Sequence, residues 1–311
     1  MHTMGSPAST HTELRAPTLD DLEPVVELLN AESLRLTGSR DCDVDAIHGW
    51  WTQPPPFDLV EDVVLVERDG AIVGYGDVGD QANEGTVFWL DVRGEQFEQL
   101  VLELTRRARA KAAPEAVVRA TVAAADADGA RTLERLGYAP IRSSYKMSME
   151  LGGRSFDPSF PAGTAVRSAV EGEDEELLHD LNERTFADHW GFMSTPYAEW
   201  LHWLRALGKP DPSLWFVATI DGQHAGLALC RPSESGDPDS GWVSTLGVLP
   251  AFRGRGLGTA LLQHACAEFQ RRGLARAGLG VDAENVSGAV RLYERVGMQV
   301  VRKQDTWERP L

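Results

Sequence analysis

GWVSTLGVLPAFRGRGLGTALLQ, residues 241–263, is the stretch from which the fold is read. Its first part, Val243 to Val248, is an apolar run rich in β-formers, and it stops at Pro250. Glycines follow at 254, 256 and 258. The chain then opens directly into a helical pattern, with Leu257, Leu261, Leu262, Ala265 and Phe269 on one face. The first turn of a helix leaves backbone N–H groups without partners, and the helix dipole puts partial positive charge at the same end. An anion is held there, and glycines let the backbone approach it because no Cβ intervenes. Arg253 and Arg255 are expected to add mobile positive charge at the rim. Strand, glycine loop and helix together predict a phosphate cradle.

Two nucleotide motifs fail on spacing. A P-loop needs Gly-Lys-Ser or Gly-Lys-Thr, and the chain has neither. The dinucleotide fingerprint G-x-G-x-x-G fails because Thr259 occupies the sixth position after Gly254-x-Gly256. What remains is R-x-x-G-x-G, Arg253 to Gly258, directly after L-G-V-L-P. This loop resembles that of the GNAT superfamily of acyl-CoA N-acyltransferases. A second stretch, GVDAENVSGAVRLYERVGMQVV at 280–301, is similar to the other signature of that superfamily: a strand, an Asn, a helix bearing a Tyr, and a glycine turn into a strand.

The resemblance implies an α/β (α+β) fold whose central sheet is mixed, mostly antiparallel, and flanked by helices. It implies that Arg253, Gly254, Arg255, Gly256, Leu257, Gly258 and Thr259 hold the pyrophosphate of acetyl-CoA. Backbone groups around Leu246, Gly247 and Val248 would hold the pantetheine and stabilise the carbonyl oxygen. Asn285 would bond the pantetheine arm, and Tyr293 would face the thioester sulfur.

At 311 residues the chain exceeds ordinary single-domain size, so two domains of about 150 residues are expected. Internal similarity agrees. The strand start Leu14-Arg15-Ala16 returns at Val166-Arg167-Ser168, and VVLVERDGAIVGYG at 63–76 returns as WFVATIDGQHAGLA at 215–228, both offset by 152 residues. LERLGY at 133–138 returns as YERVGM at 293–298, offset by 160. A period this long means duplicated domains rather than a solenoid. Expected boundaries are a flexible tail 1–12, a first domain 13–150, a linker 151–163 (LGGRSFDPSFPAG) and a second domain 164–311. Phe156 and Phe160 are placed to pin the linker, and RPSESGDPDS at 231–240 is expected to be an exposed connection.

The first copy has WLDVRGEQFEQLVLEL, residues 89–104, in place of the glycine loop, with Leu133 matching Tyr293 and about Ala125 matching Asn285. Loop, Asn and Tyr are absent together. The first copy is therefore expected to keep the fold and to lack conventional acyl-CoA binding. A degenerate copy before an intact one resembles the tandem bacterial acetyltransferases of the mycothiol synthase type.

Hydrophobic content of 42% and charged content of 25% place the chain among ordinary globular proteins, and no apolar run approaches the ~18 residues of a membrane helix. The polar start MHTMGSPASTHTE does not read as a signal peptide, which predicts a cytoplasmic protein. Cys42, Cys230 and Cys266 are too scattered for a disulfide framework, and the eight histidines lack metal-ligand spacing, so no metal is expected. A net charge of −17 would repel nucleic acid and favour a cationic amine. The expected partner is a small-molecule amine, with the protein a monomer or homodimer.

Amide formation from a thioester needs a neutral amine, a polarised carbonyl and a proton donor for the leaving thiolate. Tyr293 is the candidate donor, since a phenol with an ordinary pKa of ~10 keeps its proton at neutral pH. For the base, many relatives by resemblance carry a Glu where this chain has Trp242 or Ser244. Asp188 and His189 in FADHWGF, after the amphipathic stretch Glu173 to Phe186, are the candidates in this chain. Deprotonation before binding, or through water, serves equally. Among the nearby aromatics, Trp200 and Trp203 fit one helix face, while Trp190 and Phe192 flank a turn at Gly191 and are expected at the acceptor pocket. The expected activity is acetyl-CoA-dependent N-acetylation of a primary amine. Acetylation of a cysteinyl amine or of an aminoglycoside-like compound, and a non-catalytic acyl-CoA-binding regulatory module, are the alternatives.

Overall fold

Asp69-Gly70 and Asp221-Gly222 both adopt left-handed backbone, with φ of 52° and 83° in the first pair and 49° and 77° in the second. Two consecutive positive φ angles match the twist of a tight hairpin, which is why Asp-Gly marks it in sequence. Each turn joins two antiparallel strands, β2 (Val63–Arg68) to β3 (Ala71–Asp80) and β8 (Trp215–Ile220) to β9 (Gln223–Arg231). The computed structural model describes residues 12–206, 210–285 and 287–311. The expected tail, apart from Thr12, lies outside the described residues.

Around these hairpins the two halves repeat one order of elements. In the first half β1 (Thr12–Arg15) leads to α1 (Leu22–Thr37), α2 (Val44–Trp51) and α3 (Leu59–Asp62), ahead of the hairpin. After it come β4 (Val87–Gly94), α4 (Phe97–Lys111), β5 (Val117–Ala123), α5 (Ala127–Arg135) and β6 (Ala139–Glu150). In the second half β7 (Thr164–Ser168), α6 (Glu175–Phe186) and α7 (Tyr197–Ala206) precede the hairpin. It is followed by β10 (Ser240–Val248), α8 (Leu257–Arg271), β11 (Arg276–Asp282), α9 (Ala289–Val296) and β12 (Gln299–Pro310). Thr18 and Asp21, in capping-box spacing, form that box, with the Thr18 N–H donating to the Asp21 carboxylate at 2.8 Å.

The twelve strands of the described residues form one sheet in the order β1-β2-β3-β4-β5-β12-β6-β11-β10-β9-β8-β7. Among the described strands, only β4 with β5 and β10 with β11 run parallel. The order shows an exchange: β12, from the end of the chain, pairs with β5 of the first half, while β6 pairs with β11 of the second. The two exchanged strands then pair with each other, so no gap separates the halves. Met147 and Met149 of β6 are buried in the second half's core with Phe269, Leu279 and Tyr293. Leu257, Leu261, Leu262, Ala265 and Phe269 of α8 are all buried, as the helical spacing predicts.

The exchange makes the second half dependent on the first. Cutting at residue 150 leaves the edge of β11 unpaired and removes two buried methionines, each worth about 2–5 kcal/mol on truncation, against a typical total stability of about 5–15 kcal/mol. The fragment 151–311 is therefore expected to be aggregated or unfolded by sedimentation and circular dichroism. A soluble, folded monomeric fragment would contradict this dependence.

The linker packs as its aromatics suggest: Phe156 lies against the second core and Phe160 meets the His264 ring at 6.0 Å. Segment 231–240 differs from expectation, because it is not simply exposed. Glu234 is buried and ion-paired with Lys146 of β6, and Gly236 sits so close to Arg40 that a Cβ there would come within 2.9 Å of its backbone. Part of its polar composition serves contacts between the halves, while Pro238 and Asp239 stay exposed. Among the described residues, no helix is long and apolar enough to cross a membrane, and no cluster of His, Cys, Asp and Glu could hold a metal ion.

Candidate functional site

β10 pairs with β11 only from Ser240 to Val243, and its pairing with β9 shifts register at Ser244. Beyond that point β10 and β11 diverge, and the ends of α8 and α9 close the gap. The result is a groove of about 540 Å³. Leu246, Gly247, Val248, Arg253, Gly254, Gly256, Leu257, Gly258, Thr259, Asn285, Tyr293 and His189 all line it. Residues far apart in sequence are thus brought together by one irregular strand.

The floor at the α8 end is backbone. Gly254 and Gly256 have φ of 75° and 90°, in the left-handed region that favours glycine, and no side chain caps α8. The first-turn N–H groups of this fifteen-residue helix therefore stay available to an anion. Gly258 keeps the helix close to α9, since a Cβ there would lie 3.3 Å from Leu292.

The two arginines of the loop behave differently from expectation. Arg253 is anchored: its Nε donates to the Val248 carbonyl at 2.9 Å, and its Nη2 donates to the Thr185 carbonyl at 2.8 Å and to Asp188 at 3.0 Å. It ties the loop to the end of β10 and to α6, because three acceptors converge there. Arg255 is not among the groove residues; it bonds the Ala251 carbonyl at 3.0 Å and lies over the Phe252 ring.

The two base candidates also separate. Asp188 is ion-paired with Arg253, and that hydrogen bond holds its carboxyl below the usual carboxylate range. A carboxylate so stabilised is a poor proton acceptor. His189 lines the groove with its ring 4.5 Å from Phe186, and burial lowers its pKa, which keeps it neutral near pH 7. Tyr293 is 8% exposed, and burial pushes its hydroxyl up to about 12. Its hydroxyl makes no hydrogen bond among the described residues. Asn285 turns its side-chain oxygen inward to the Ser287 N–H at 2.8 Å.

Of the flanking aromatics, Trp190 is held between the guanidinium groups of Arg119 and Arg142, at 4.8 and 4.9 Å. Gly191 makes the expected turn, with φ of 67°, and its carbonyl accepts from Gln81 at 3.0 Å. Trp190 therefore ties the segment to the first half, and neither it nor Phe192 lines the groove. Trp203 packs against Trp50 in a tilted arrangement, ring centres 5.4 Å apart, again across the halves. These partners are separated by up to 153 positions, and no local pattern announces them.

The corresponding place in the first half is nearly filled, leaving about 40 Å³. Asp41 accepts there from Arg93 at 3.0 Å and Arg302 at 2.9 Å, the latter arriving on β12. Gln96 takes the left-handed N-cap position, φ 57°, that Gly256 holds in the second half.

A sequence profile described as "Acetyltransferase (GNAT) family" matches residues 175–298. A mycothiol acetyltransferase from Stackebrandtia nassauensis is 30% identical over 248 residues, covering 76% of this chain and 78% of that protein. The crystal structure of a GCN5-related N-acetyltransferase from Sphaerobacter thermophilus superposes with a TM-score of 0.79 at 26% identity, over 96% of this chain and 95% of that one. A tandem GNAT protein from the clavulanic acid biosynthesis pathway shares the fold, with a TM-score of 0.72 at 17% identity over 96% and 98% of the two chains.

Proposed function

Because the chain belongs to the GNAT family of acetyltransferases, we propose that its second domain, 164–311, transfers the acetyl group of acetyl-CoA to a primary amine of a small molecule. The observation that carries this reading is the groove itself, which joins an uncapped helix N-terminus with two left-handed glycines to a neutral His189 and a buried Tyr293 hydroxyl. The α8 N–H groups bind the pyrophosphate, and Arg253 holds the loop in shape for it. Asp188 acts through Arg253 as a positioning residue.

In the transfer, His189 takes a proton from the attacking amine nitrogen as the C–N bond forms. The Leu246–Val248 backbone stabilises the carbonyl oxygen while charge develops on it. As the C–S bond breaks, the Tyr293 hydroxyl donates a hydrogen bond to the leaving sulfur. At about 12 its pKa exceeds that of a thiol, ~8.5, so the proton is shared with sulfur in the transition state rather than surrendered early. The first domain, 13–150, supplies β6 beside β11, and the small 40 Å³ cavity at its corresponding place supports a structural rather than a cofactor-binding part for it.

The similarity to mycothiol acetyltransferases favours a second, finer reading, in which the acceptor is a cysteinyl amine. A panel of primary amines assayed with acetyl-CoA, following thiol release, tests both. Turnover with a cysteinyl amine alone selects the finer reading, and thiol release with none of the amines overturns the first.

The pH profile gives a sharper check. His189 must be neutral to accept a proton, and its pKa lies below the ordinary ~6.5, so kcat is expected to be level near neutrality and to fall only on the acid side. His189→Gln is expected to remove that acid limb and to lower kcat by roughly tenfold, less than the ~100-fold of an obligatory base because amines also arrive deprotonated. An unchanged acid limb in the variant assigns the base elsewhere.

A further inference from the structure

Arg231 ends β9 and faces Trp242 of β10 in register. Its Nε is buried and has no hydrogen-bond partner, and Arg231 forms no ion pair among the described residues. The two acids whose charge reaches it are already engaged. Asp43 caps α2 by accepting the Ala46 N–H at 2.8 Å, and Glu234 is paired with Lys146. Burial lowers the pKa of Arg231, yet a guanidinium stays protonated in proteins. A desolvated, unpaired cation is costly to keep. In a chain with 47 acidic residues, a partner for it would be easy to supply, so its solitude calls for a ligand.

A cavity of about 140 Å³ lies against this guanidinium, walled by Trp200, Trp203, Trp215 and Leu229. Ser244 lines both this cavity and the 540 Å³ groove, so the two adjoin at the register shift of β10. The planar fork of Arg suits a carboxylate, and the tryptophan walls suit a short apolar body. We propose that Arg231 binds a carboxylate of the acceptor, which makes the acceptor an amine that also carries an acid group. The identification of this ligand as the acceptor rests on the acetyl-transfer reading above; the anion site itself does not. The acidic surface attracts the ammonium end of such a zwitterion, and Arg231 orients its other end.

The probe is butyrate, with butyramide as its neutral counterpart, titrated at constant ionic strength into protein saturated with CoA so that the helix cradle is filled. Tryptophan fluorescence is the readout. A saturable change with butyrate, at least tenfold weaker with butyramide and lost in Arg231→Met, is expected. Equal affinities for the two probes, no saturable response in the unsubstituted protein, or undiminished butyrate affinity in Arg231→Met overturns the proposal. Should Arg231→Met fail to fold, Arg231→Lys decides: the charge stays and the fork is lost, so butyrate is expected to bind several-fold more weakly, and unchanged affinity overturns the proposal. Thiol release from acetyl-CoA with the amine panel, measured on the unsubstituted protein, reports on the transferase reading by itself, and acetyl-CoA titrated into each variant shows that the groove is intact, because Arg231 is outside it.

Discussion

Tyr293→Phe is expected to lower kcat by roughly 100-fold while leaving acetyl-CoA affinity within about twofold of the unsubstituted protein. The substitution removes one oxygen from a side chain buried among Met147, Phe269, Leu279 and Val296, and leaves the ring that fills that core. Since the hydroxyl has no partner among the described residues, its loss orphans no donor or acceptor among them. On the proposed mechanism, what is lost is the hydrogen bond to sulfur as the thiolate forms, an interaction stronger in the transition state than in the bound ground state. Steady-state kinetics beside calorimetry separates the two effects. A variant with normal kcat would remove Tyr293 from the chemistry, and one with weakened affinity would make it a binding residue.

The parts of this site that are legible in sequence are those built from consecutive backbone. A strand that stops at Pro250, left-handed glycines at 254 and 256, and an apolar face starting at Leu257 each obey a local rule, and all lie where the pattern puts them. The Asp-Gly hairpins and the Thr18 capping box are local in the same sense. The roles of Arg253 and Asp188 were not legible, because they depend on a carbonyl at Thr185 and an ion pair that only the approach of α6 to the loop creates. Arg231 is still less visible, since nothing in its own neighbourhood says that the nearby acids Glu234 and Asp43 are committed to Lys146 and to a helix cap.

The exchange of β6 and β12 escaped the sequence for a different reason. Each strand carries the pattern of a sixth strand, and the pattern is equally satisfied beside either fifth strand. The choice is made by Met147 and Met149 entering one core and Trp307 packing against the other, contacts across about 150 residues that no periodicity encodes. Duplication was readable from the two 152-residue offsets. The interlocking of the copies was not.

On the acetyl-transfer proposal, one cofactor groove, in the second half, serves the whole chain. Calorimetric titration of acetyl-CoA into the protein and into Gly256→Trp tests it most directly. A Cβ at Gly256, the N-cap of α8, meets no atom within 4 Å, so a bulky residue there is placed at the anion end of the helix at the cost of the left-handed φ of 90°. Gly70→Trp carries the same strain, φ 83° with open space around it, in the β2–β3 turn, and is the control for that cost. One site per chain is predicted, weakened by about 100-fold or more in Gly256→Trp and unchanged in Gly70→Trp. Two sites, or binding unaffected by Gly256→Trp, would contradict the account and return the first half to the cofactor.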